Sequence, residues 1–518
     1  MMLRAGLALL VGLAWVLILG AWGDMPHATE YQDDGLYFIG AKSLATGQGY
    51  KILNLPGQPA QTKYPPGFPA WLAAAWLFGG EFPGNLRWAT GLCVVWLPVL
   101  AALLWVWLGR AGITGWWRDG LTALVMVNPY LVLFSISMFT EVSFTALVLA
   151  SWLLLERGRP GLAGGLAGAA YLWRTAGVAL LPAGILWLLW RRDRRGAALF
   201  GVAMLPFVVG WMAWARWNLP AGDDIVTLYY TNYIGYHLLN FRLGEAHLFL
   251  WKNLDGLMQG LGSYIMPKAG GGLGEKILAQ VMAVAGLSGL WRVVREGNET
   301  VRGYAWFGLF YAGQLVVWHF APNERFVLPL LPLLLVGWTA EFGRLGRRVT
   351  ELRRGSDAGQ RRAAWVLSGI GVLVAGLAAE GQVRVLTQLL PEFMEGHRKE
   401  LRRLEPVFAE LRKGSEAVLT EDDTLIYLAT GRPSVSLLVP TLNWYREDWE
   451  ARRAAFRDAA GYARQQGVKW FLLRESDFSR DMDVEMHRRL MAELRSDRDW
   501  ERVRRWEGME LYRLRTGE

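Results

Sequence analysis

The sequence is poor in charged residues and almost without cysteine. Only 19% of its 518 residues are charged, whereas 53% are hydrophobic, and the mean hydropathy is +0.18. The apolar residues form long uninterrupted runs, which are typical of helices in lipid and not of amphipathic helices on a soluble core. The one cysteine, Cys93, excludes an intrachain disulfide and carries no information about compartment. The composition therefore predicts a polytopic α-helical membrane protein.

The net charge of +9 does not indicate a nucleic-acid partner. The basic residues lie in short loops between apolar runs, where they orient a membrane protein, so we expect no nucleic acid among the partners. The length criterion predicts about 11 transmembrane helices. They are predicted at residues 5–22, 86–108, 120–134, 142–155, 161–173, 177–190, 197–217, 277–294, 303–319, 326–338 and 364–379. No convincing cleavage site follows the first run, so we expect an uncleaved anchor.

Arginine-rich loops alternate with loops that are poor in basic residues. The basic loops lie at residues 110–118, 157–159, 191–195, 292–302 and 344–362. By the positive-inside rule we expect a multi-pass protein of the cell (inner) membrane with a cytoplasmic N-terminus. An odd number of spans then puts the loops 24–83 and 218–274 on the external face.

The end of the chain is more hydrophilic than the rest. From residue 391 helix-like and strand-like stretches alternate, which predicts a small α/β extracytoplasmic domain with a partly parallel sheet. The predicted organisation is a transmembrane domain over residues 1–388 and a soluble domain over residues 389–518.

Several ionisable residues fall at external ends of the predicted helices. They are Asp33, Asp34, Glu141, Arg174, Glu324 and Arg325. Charged groups at such positions line polar cavities or pair with one another, because exposing them to lipid is costly. We expect them to converge into a site for an anionic substrate attached to a membrane lipid.

Transfer of a sugar from a polyprenyl phosphate needs a base for the acceptor and positive charge for the departing phosphate. Asp33 or Asp34 is the candidate base. Arg174 and Arg325 are candidates for binding the phosphate, because a guanidinium group matches phosphate oxygens in a bidentate fork. A divalent metal, magnesium or manganese, held by Asp34 and Glu141 is an open alternative.

Four ordered motifs resemble the GT-C superfamily of membrane glycosyltransferases, most closely the branch of protein O-mannosyltransferases and lipid A aminoarabinose transferases. They are YQDDGLYFIGAKSLATGQGY (31–50), KYPPGFPAWLAAAWL (63–77), NPYLVLFSISMFTEVSFTALVLA (128–150) and ERFVLPLLPLLL (324–335). The resemblance implies that Asp33 is the catalytic base, with Asp34 beside it, and that Tyr37 is the aromatic residue after the pair. It maps the acid of the second loop onto Glu141 and the late helix start onto Arg325.

The resemblance also implies that the YPPG run, which begins at Tyr64, opens a helix towards the membrane. Tyr64 and Glu324 join Tyr37, Arg174 and Arg325 as candidate substrate-binding residues. We therefore predict inverting transfer of a sugar from a polyprenyl-phosphate donor to a hydroxyl of a protein, lipid or glycan.

Each charged group also has a structural alternative. Asp33 and Asp34 are open to interpretation as a solvated helix cap, with Asp34 and Gly35 in a turn. Glu141 and Arg174 are equally consistent with an ion pair that only joins two helical hairpins. Arg325 is also consistent with a flanking anchor at the membrane surface.

Two other functions compete with sugar transfer. A secondary transporter is expected to place ionisable groups near the midplane in broken helices and to show repeated halves, and the sequence displays neither. A ligase or polymerase of lipid-linked glycans shares the donor chemistry. It is expected to concentrate its reactive residues in one large late loop, not in an acidic pair after the first span.

Overall fold

The computed structural model describes residues 2–515 except 240, 269, 319 and 356. The predicted end of one span at residue 319 and the predicted domain ends at residues 1 and 518 lie outside the described residues. The described chain is mostly helical, with one small sheet near the C-terminus.

The α-helices up to residue 263 are α1 Met2–Trp22, α2 Asp33–Ala45, α3 Gly67–Phe78, α4 Leu86–Val94, α5 Trp96–Arg110, α6 Gly115–Met126, α7 Pro129–Ser135, α8 Glu141–Glu156, α9 Pro160–Trp173, α10 Leu180–Trp190, α11 Arg194–Trp217, α12 Ile225–Thr231, α13 Tyr233–Leu238 and α14 Ala246–Ser263. Those that follow are α15 Leu273–Arg295, α16 Glu299–Val316, α17 Glu324–Val327, α18 Leu331–Arg354, α19 Ala358–Arg384, α20 Leu390–Leu411, α21 Asp423–Thr430, α22 Thr441–Tyr445, α23 Trp449–Arg457, α24 Ala459–Gln465 and α25 Val484–Ser496. Short 3-10 helices cover Thr175–Ala179, Leu243–Glu245 and Leu328–Leu330, and a π-helical turn covers Val385–Leu389.

Six helical stretches among the described residues are long and apolar enough to cross a membrane, so the chain is a multi-pass membrane protein. They are Arg4–Trp22, Leu86–Arg110, Arg194–Trp217, Leu273–Arg295, Glu324–Arg354 and Ala358–Leu411. The predicted count of about 11 is not confirmed by this criterion. One reason is that the predicted span 120–134 is two helices, because Asn128 caps α7 and Pro129 occupies its first position.

The described chain forms two compact units. The first unit consists of Met1–Gly23, Cys93–Val209 and Leu250–Glu395, and the second of Asp24–Leu92, Gly210–Phe249 and Gly396–Glu518. Parts of the two predicted external loops thus pack in the same unit as the C-terminal segment. The predicted boundary between the two domains, at residues 388 and 389, was placed where the hydropathy changes and not where the packing changes. It stays a prediction.

Small residues allow close helix packing in the first unit, where α15 packs against α18. A Cβ atom built on Gly337 would lie 1.9 Å from the carbonyl oxygen of Gly286, and one on Gly289 would lie 1.9 Å from the carbonyl oxygen of Gly337. No side chain fits between backbones this close. Glycine is therefore required at this crossing, as is common where membrane helices approach each other closely.

The C-terminal sheet of the second unit has the strand order β2-β1-β3-β5-β4. Its strands are β1 Val418–Leu419, β2 Ser434–Val435, β3 Trp470–Arg474, β4 Trp500–Trp506 and β5 Met509–Leu514. β1 pairs in parallel with β2 and β3, and β5 pairs antiparallel with β3 and β4. The predicted partly parallel sheet is confirmed. Apolar side chains of α20, α21 and three strands form the core beneath it.

We expect Gly337→Ala to lower the stability of the protein in detergent by about 1–3 kcal/mol, because the added methyl group overlaps a backbone carbonyl group. Gly376→Ala is the matched control, since a Cβ atom at Gly376 meets no atom within 4 Å. Thermal unfolding of the two variants checks this expectation. Equal unfolding temperatures would show that the α15–α18 crossing tolerates a side chain.

Candidate active site

The two aspartates that open α2 lie in different surroundings. Asp33 is half-buried, and its Oδ1 accepts a hydrogen bond of 2.5 Å from the hydroxyl group of Tyr64. Asp34 is completely buried, and its Oδ2 accepts a 2.8 Å hydrogen bond from the backbone N–H of Thr29. Asp34 thus helps to fix the loop before α2, whereas Asp33 is partly accessible. The alternative of a solvated turn at Asp34 and Gly35 is wrong, because both residues are buried in α2.

Local sequence accounts for the position of this pair. Acidic residues in a first helical turn interact favourably with the helix dipole, and Asp33 and Asp34 occupy that turn of α2. The YPPG run ends where α3 begins at Gly67, as predicted. Tyr64 therefore precedes one helix while it contacts the start of the other. The ring of Tyr37, one turn into α2, packs edge-on against the ring of Tyr64, with the centroids 4.9 Å apart.

A buried lysine that was not predicted from the sequence, Lys63, interacts with the charge of Asp33. The Nζ atom of Lys63 is 3.9 Å from the ring centroid of Tyr229, 4.7 Å from that of Tyr233 and 5.1 Å from that of Tyr64. Burial lowers the pKa of Lys63 to about 8, while the negative charge of Asp33 opposes this shift. Its position immediately before the YPPG run was the one available signal, because a charged residue is otherwise ordinary in this polar segment.

A second missed residue comes from the C-terminal segment. Asp423 is completely buried, and its carboxylate accepts hydrogen bonds from Asn54 Nδ2 at 2.7 Å, the Tyr230 hydroxyl at 2.7 Å and Gln32 Nε2 at 3.1 Å. Burial raises the pKa of Asp423 to about 6, and the hydrogen bonds from Tyr230 and Gln32 limit the increase. The sequence gives no sign of this role, because the three donors are remote along the chain.

In the first unit, Glu141 pairs with both predicted arginines. Its Oε1 atom lies 2.6 Å from Arg174 Nη1 and 3.1 Å from Arg325 Nη2. The Glu141 side chain is only 1% exposed. Arg174 also donates to the hydroxyl group of Thr140 at 3.0 Å, and the guanidinium group of Arg325 lies 3.7 Å from the ring centroid of Phe139. One carboxylate and two guanidinium groups leave this cluster with an excess of one positive charge.

Three helix starts bring this cluster together. Glu141 begins α8, Arg174 lies at the junction between α9 and the following 3-10 helix, and Arg325 follows the Asn323 cap of α17. Glu324, the other predicted residue here, pairs with Lys268 at 3.0 Å, and its carbonyl oxygen accepts a 2.8 Å hydrogen bond from the hydroxyl group of Tyr264. The prediction that Glu141, Arg174 and Arg325 lie close together is thus matched by the structure within this unit.

The predicted site residues are divided between the two units. Asp33, Asp34, Tyr37 and Tyr64 belong to the second unit. Glu141, Arg174, Glu324 and Arg325 belong to the first. Their convergence into one site stays a prediction.

In each carboxylate selected for a metal, at least one oxygen is already engaged by another group. Asp34 accepts a backbone N–H, and Glu141 lies against two guanidinium groups that would repel a divalent cation. Among the described residues, no group of three or more His, Cys, Asp or Glu side chains is arranged to hold a metal ion. The residues around Glu141 therefore do not fit magnesium or manganese. Metal dependence itself stays a prediction.

No family model and no curated protein matches this sequence. Solved structures do match it, and they define the class of fold, which is that of GT-C membrane glycosyltransferases. The resemblance stated from the motifs is thereby confirmed at the level of the fold.

Two of the similar structures are crystal structures of ArnT from Cupriavidus metallidurans, a lipid A aminoarabinose transferase. The apo structure has a TM-score of 0.54 and 15% sequence identity, and the match covers 98% of each chain. The structure bound to undecaprenyl phosphate has a TM-score of 0.52 and 13% identity, with 96% of this chain and 98% of that chain covered. Identity this low demonstrates a shared fold alone.

We expect Glu141→Gln to destabilise the protein by about 3–5 kcal/mol, because it leaves two largely buried guanidinium groups without their carboxylate. Glu299→Gln is the control, because Glu299 is 61% exposed in its ion pair with Arg302 and such pairs contribute at most about 1 kcal/mol. Unfolding in detergent measures both losses. Similar losses in the two variants would contradict a stabilising role for the Glu141 cluster.

Proposed function

We propose that this protein is an integral membrane glycosyltransferase that moves a sugar from a polyprenyl-phosphate donor to an acceptor hydroxyl on the external face, with inversion. The observation that carries the proposal is that one unit of a chain with the GT-C fold holds both a partly accessible carboxylate, Asp33, and a buried cation, Lys63, whose pKa the charge of Asp33 raises. Base and cation are the two groups that this reaction requires.

The reaction is a single displacement. Asp33 accepts the proton of the acceptor hydroxyl while the acceptor oxygen attacks the anomeric carbon. The bond between that carbon and the phosphate oxygen breaks, and its electron pair leaves with the polyprenyl phosphate. One carboxylate base suffices, and without a covalent sugar intermediate the anomeric configuration inverts. The hydrogen bond from Tyr64 orients the Asp33 carboxylate for this step.

The departing phosphate requires a cation that remains charged in surroundings of low polarity. Arg174 and Arg325 are the groups predicted from the sequence, and guanidinium groups suit a phosphate in such surroundings. Lys63 is a further candidate within the same unit as Asp33. Its ammonium group lies among three tyrosine rings, and their negative faces favour its charged form.

A polyprenyl-phosphate donor is supported by the similar solved structure that contains undecaprenyl phosphate. The long apolar helices of this chain also provide a surface on which a prenyl tail remains in lipid. The alternation of basic and non-basic loops supports an external site, with the N-terminus in the cytoplasm and the C-terminal domain outside. The acceptor is a hydroxyl group of a protein, lipid or glycan.

We expect Asp33→Asn to reduce sugar transfer by about 100- to 10,000-fold, because an amide cannot accept the proton. The assay uses purified protein, a labelled polyprenyl-phosphate sugar and an acceptor extract. Asp24→Asn is the matched control, since Asp24 lies in the same loop in an exposed ion pair with Arg398, and this variant should keep the wild-type rate. Transfer by Asp33→Asn at nearly the wild-type rate would remove Asp33 from the mechanism.

The affinity for undecaprenyl phosphate should fall by up to about tenfold as the pH rises from about 7 to about 9, because a phosphate loses its charged partner when Lys63 deprotonates. The pKa of Lys63 is lowered by burial to about 8, so its ammonium form predominates below that pH and is lost above it. The phosphate itself has lost its second proton by pH 7 and does not titrate in this window.

Binding of fluorescent undecaprenyl phosphate across the pH range measures this effect. Lys63→Gln should weaken binding at pH 7 and abolish the decline, whereas Lys51→Gln, an exposed lysine of the same loop, should retain it. A decline that persists unchanged in Lys63→Gln would exclude Lys63 as the titrating group.

A further inference from the structure

Gln32, which directly precedes Asp33, has an unusual backbone conformation. Its φ angle is 57° and its ψ angle is −46°. Residues with a side chain adopt positive φ only where surrounding contacts hold them, and such strain is common beside reactive groups. The direction in which α2 starts, and with it the position of Asp33, therefore depends on whatever holds Gln32.

The side-chain amide of Gln32 is held at both ends. Its Nε2 donates to Asp423 Oδ1 at 3.1 Å and to the Tyr230 hydroxyl at 3.1 Å. Its Oε1 accepts a hydrogen bond from the Tyr229 hydroxyl. The amide is thus fixed by groups from two other parts of the second unit, namely α12 and the C-terminal segment.

Asp423 is the acceptor on which this arrangement depends. Three donors point at its carboxylate, from Gln32, Asn54 and Tyr230. A carboxylate accepts at both oxygens, whereas an asparagine has one accepting oxygen and must direct an NH2 group at one of these donors. A buried donor that loses its acceptor is costly, so the site is specific for a carboxylate.

The backbone of α2 also touches the start of α21. A Cβ atom at Gly35 would lie 2.4 Å from Thr424 Oγ1, so no larger residue fits after the aspartate pair without movement. Asp423 and Thr424, the first two residues of α21, therefore contact the first turn of α2 and the residue before it. The C-terminal segment supports the turn that carries Asp33.

We propose that Asp423 is a positioning residue for sugar transfer: through Gln32 it holds the first turn of α2 so that the Asp33 carboxylate faces the acceptor. The inference rests on the proposed function, in which Asp33 is the base. It assigns a role in the reaction to the C-terminal segment, where the sequence alone indicates no residue that takes part in a reaction.

The first test is kinetic and uses Asp423→Asn in the full-length protein. We expect kcat to fall about tenfold to 100-fold, since misplacing a reacting group by about 1 Å has effects of this size. The KM for the polyprenyl-phosphate sugar should change less than kcat does, because no donor-binding group is removed and Lys63 loses only the charge of Asp423 from its surroundings. In an Asp33→Asn background the same substitution should change the residual rate by less than about twofold, since nothing remains to be positioned.

Glu510→Gln is the matched control, because Glu510 is a buried acid of the same segment whose ion pairs are with Arg495, Arg502 and Arg505. It should retain the wild-type kcat. A wild-type kcat in Asp423→Asn, an equal loss in the Asp33→Asn background or an equal loss in Glu510→Gln would each overturn the inference. A failure of the proposed function would look different. In that case either the wild type would transfer no sugar, or transfer would continue when Asp33 is replaced.

A second test does not depend on activity. Hydrogen–deuterium exchange of residues 29–36 should become faster in Asp423→Asn than in the wild type or in Glu510→Gln, because the first turn of α2 loses its support. If Asp423→Asn does not fold, Tyr230→Phe removes one donor of the same network and should show the same change to a smaller extent. Unchanged exchange in the variant that folds would contradict the positioning role.

Discussion

The structure depends on one constraint, which is that a charge buried in a largely apolar chain must have a partner. The partners of Glu141 are two guanidinium groups, and those of Asp423 are three hydrogen-bond donors. Lys63 lies among three aromatic rings and interacts with the charge of Asp33. Each partnership joins segments that are distant along the chain. The groups that stabilise each unit are therefore also the groups available for chemistry.

The fold class was predictable because hydropathy and ordered motifs are local properties of the sequence. Long apolar runs indicated membrane helices, and the alternation after residue 391 indicated a partly parallel sheet, which the structure contains. Helix counts were less predictable, because a capping residue and a proline divide an apolar run such as 120–134 without changing its hydropathy. The grouping of the first loop and part of the second with the C-terminal segment depends on packing, which hydropathy does not report.

The candidate site was predictable where a charge interrupts an apolar run. Glu141, Arg174 and Arg325 stood out for this reason, and they lie in contact. Lys63 and Asp423 did not stand out, because each lies in a polar segment where a charge is ordinary. The hydrogen bonds of Asp423 to Asn54 and Gln32 span 369 and 391 positions of the chain, and no local pattern encodes contacts so remote.

In the proposed function, the second unit contains a phosphate site at Lys63, in the same unit as the base Asp33. An experimental structure of the protein with undecaprenyl phosphate tests it most directly. We expect a phosphate oxygen within hydrogen-bonding distance of Lys63 Nζ, at about 2.7–2.9 Å. A bound phosphate that makes no contact with Lys63 would exclude a phosphate site at this lysine.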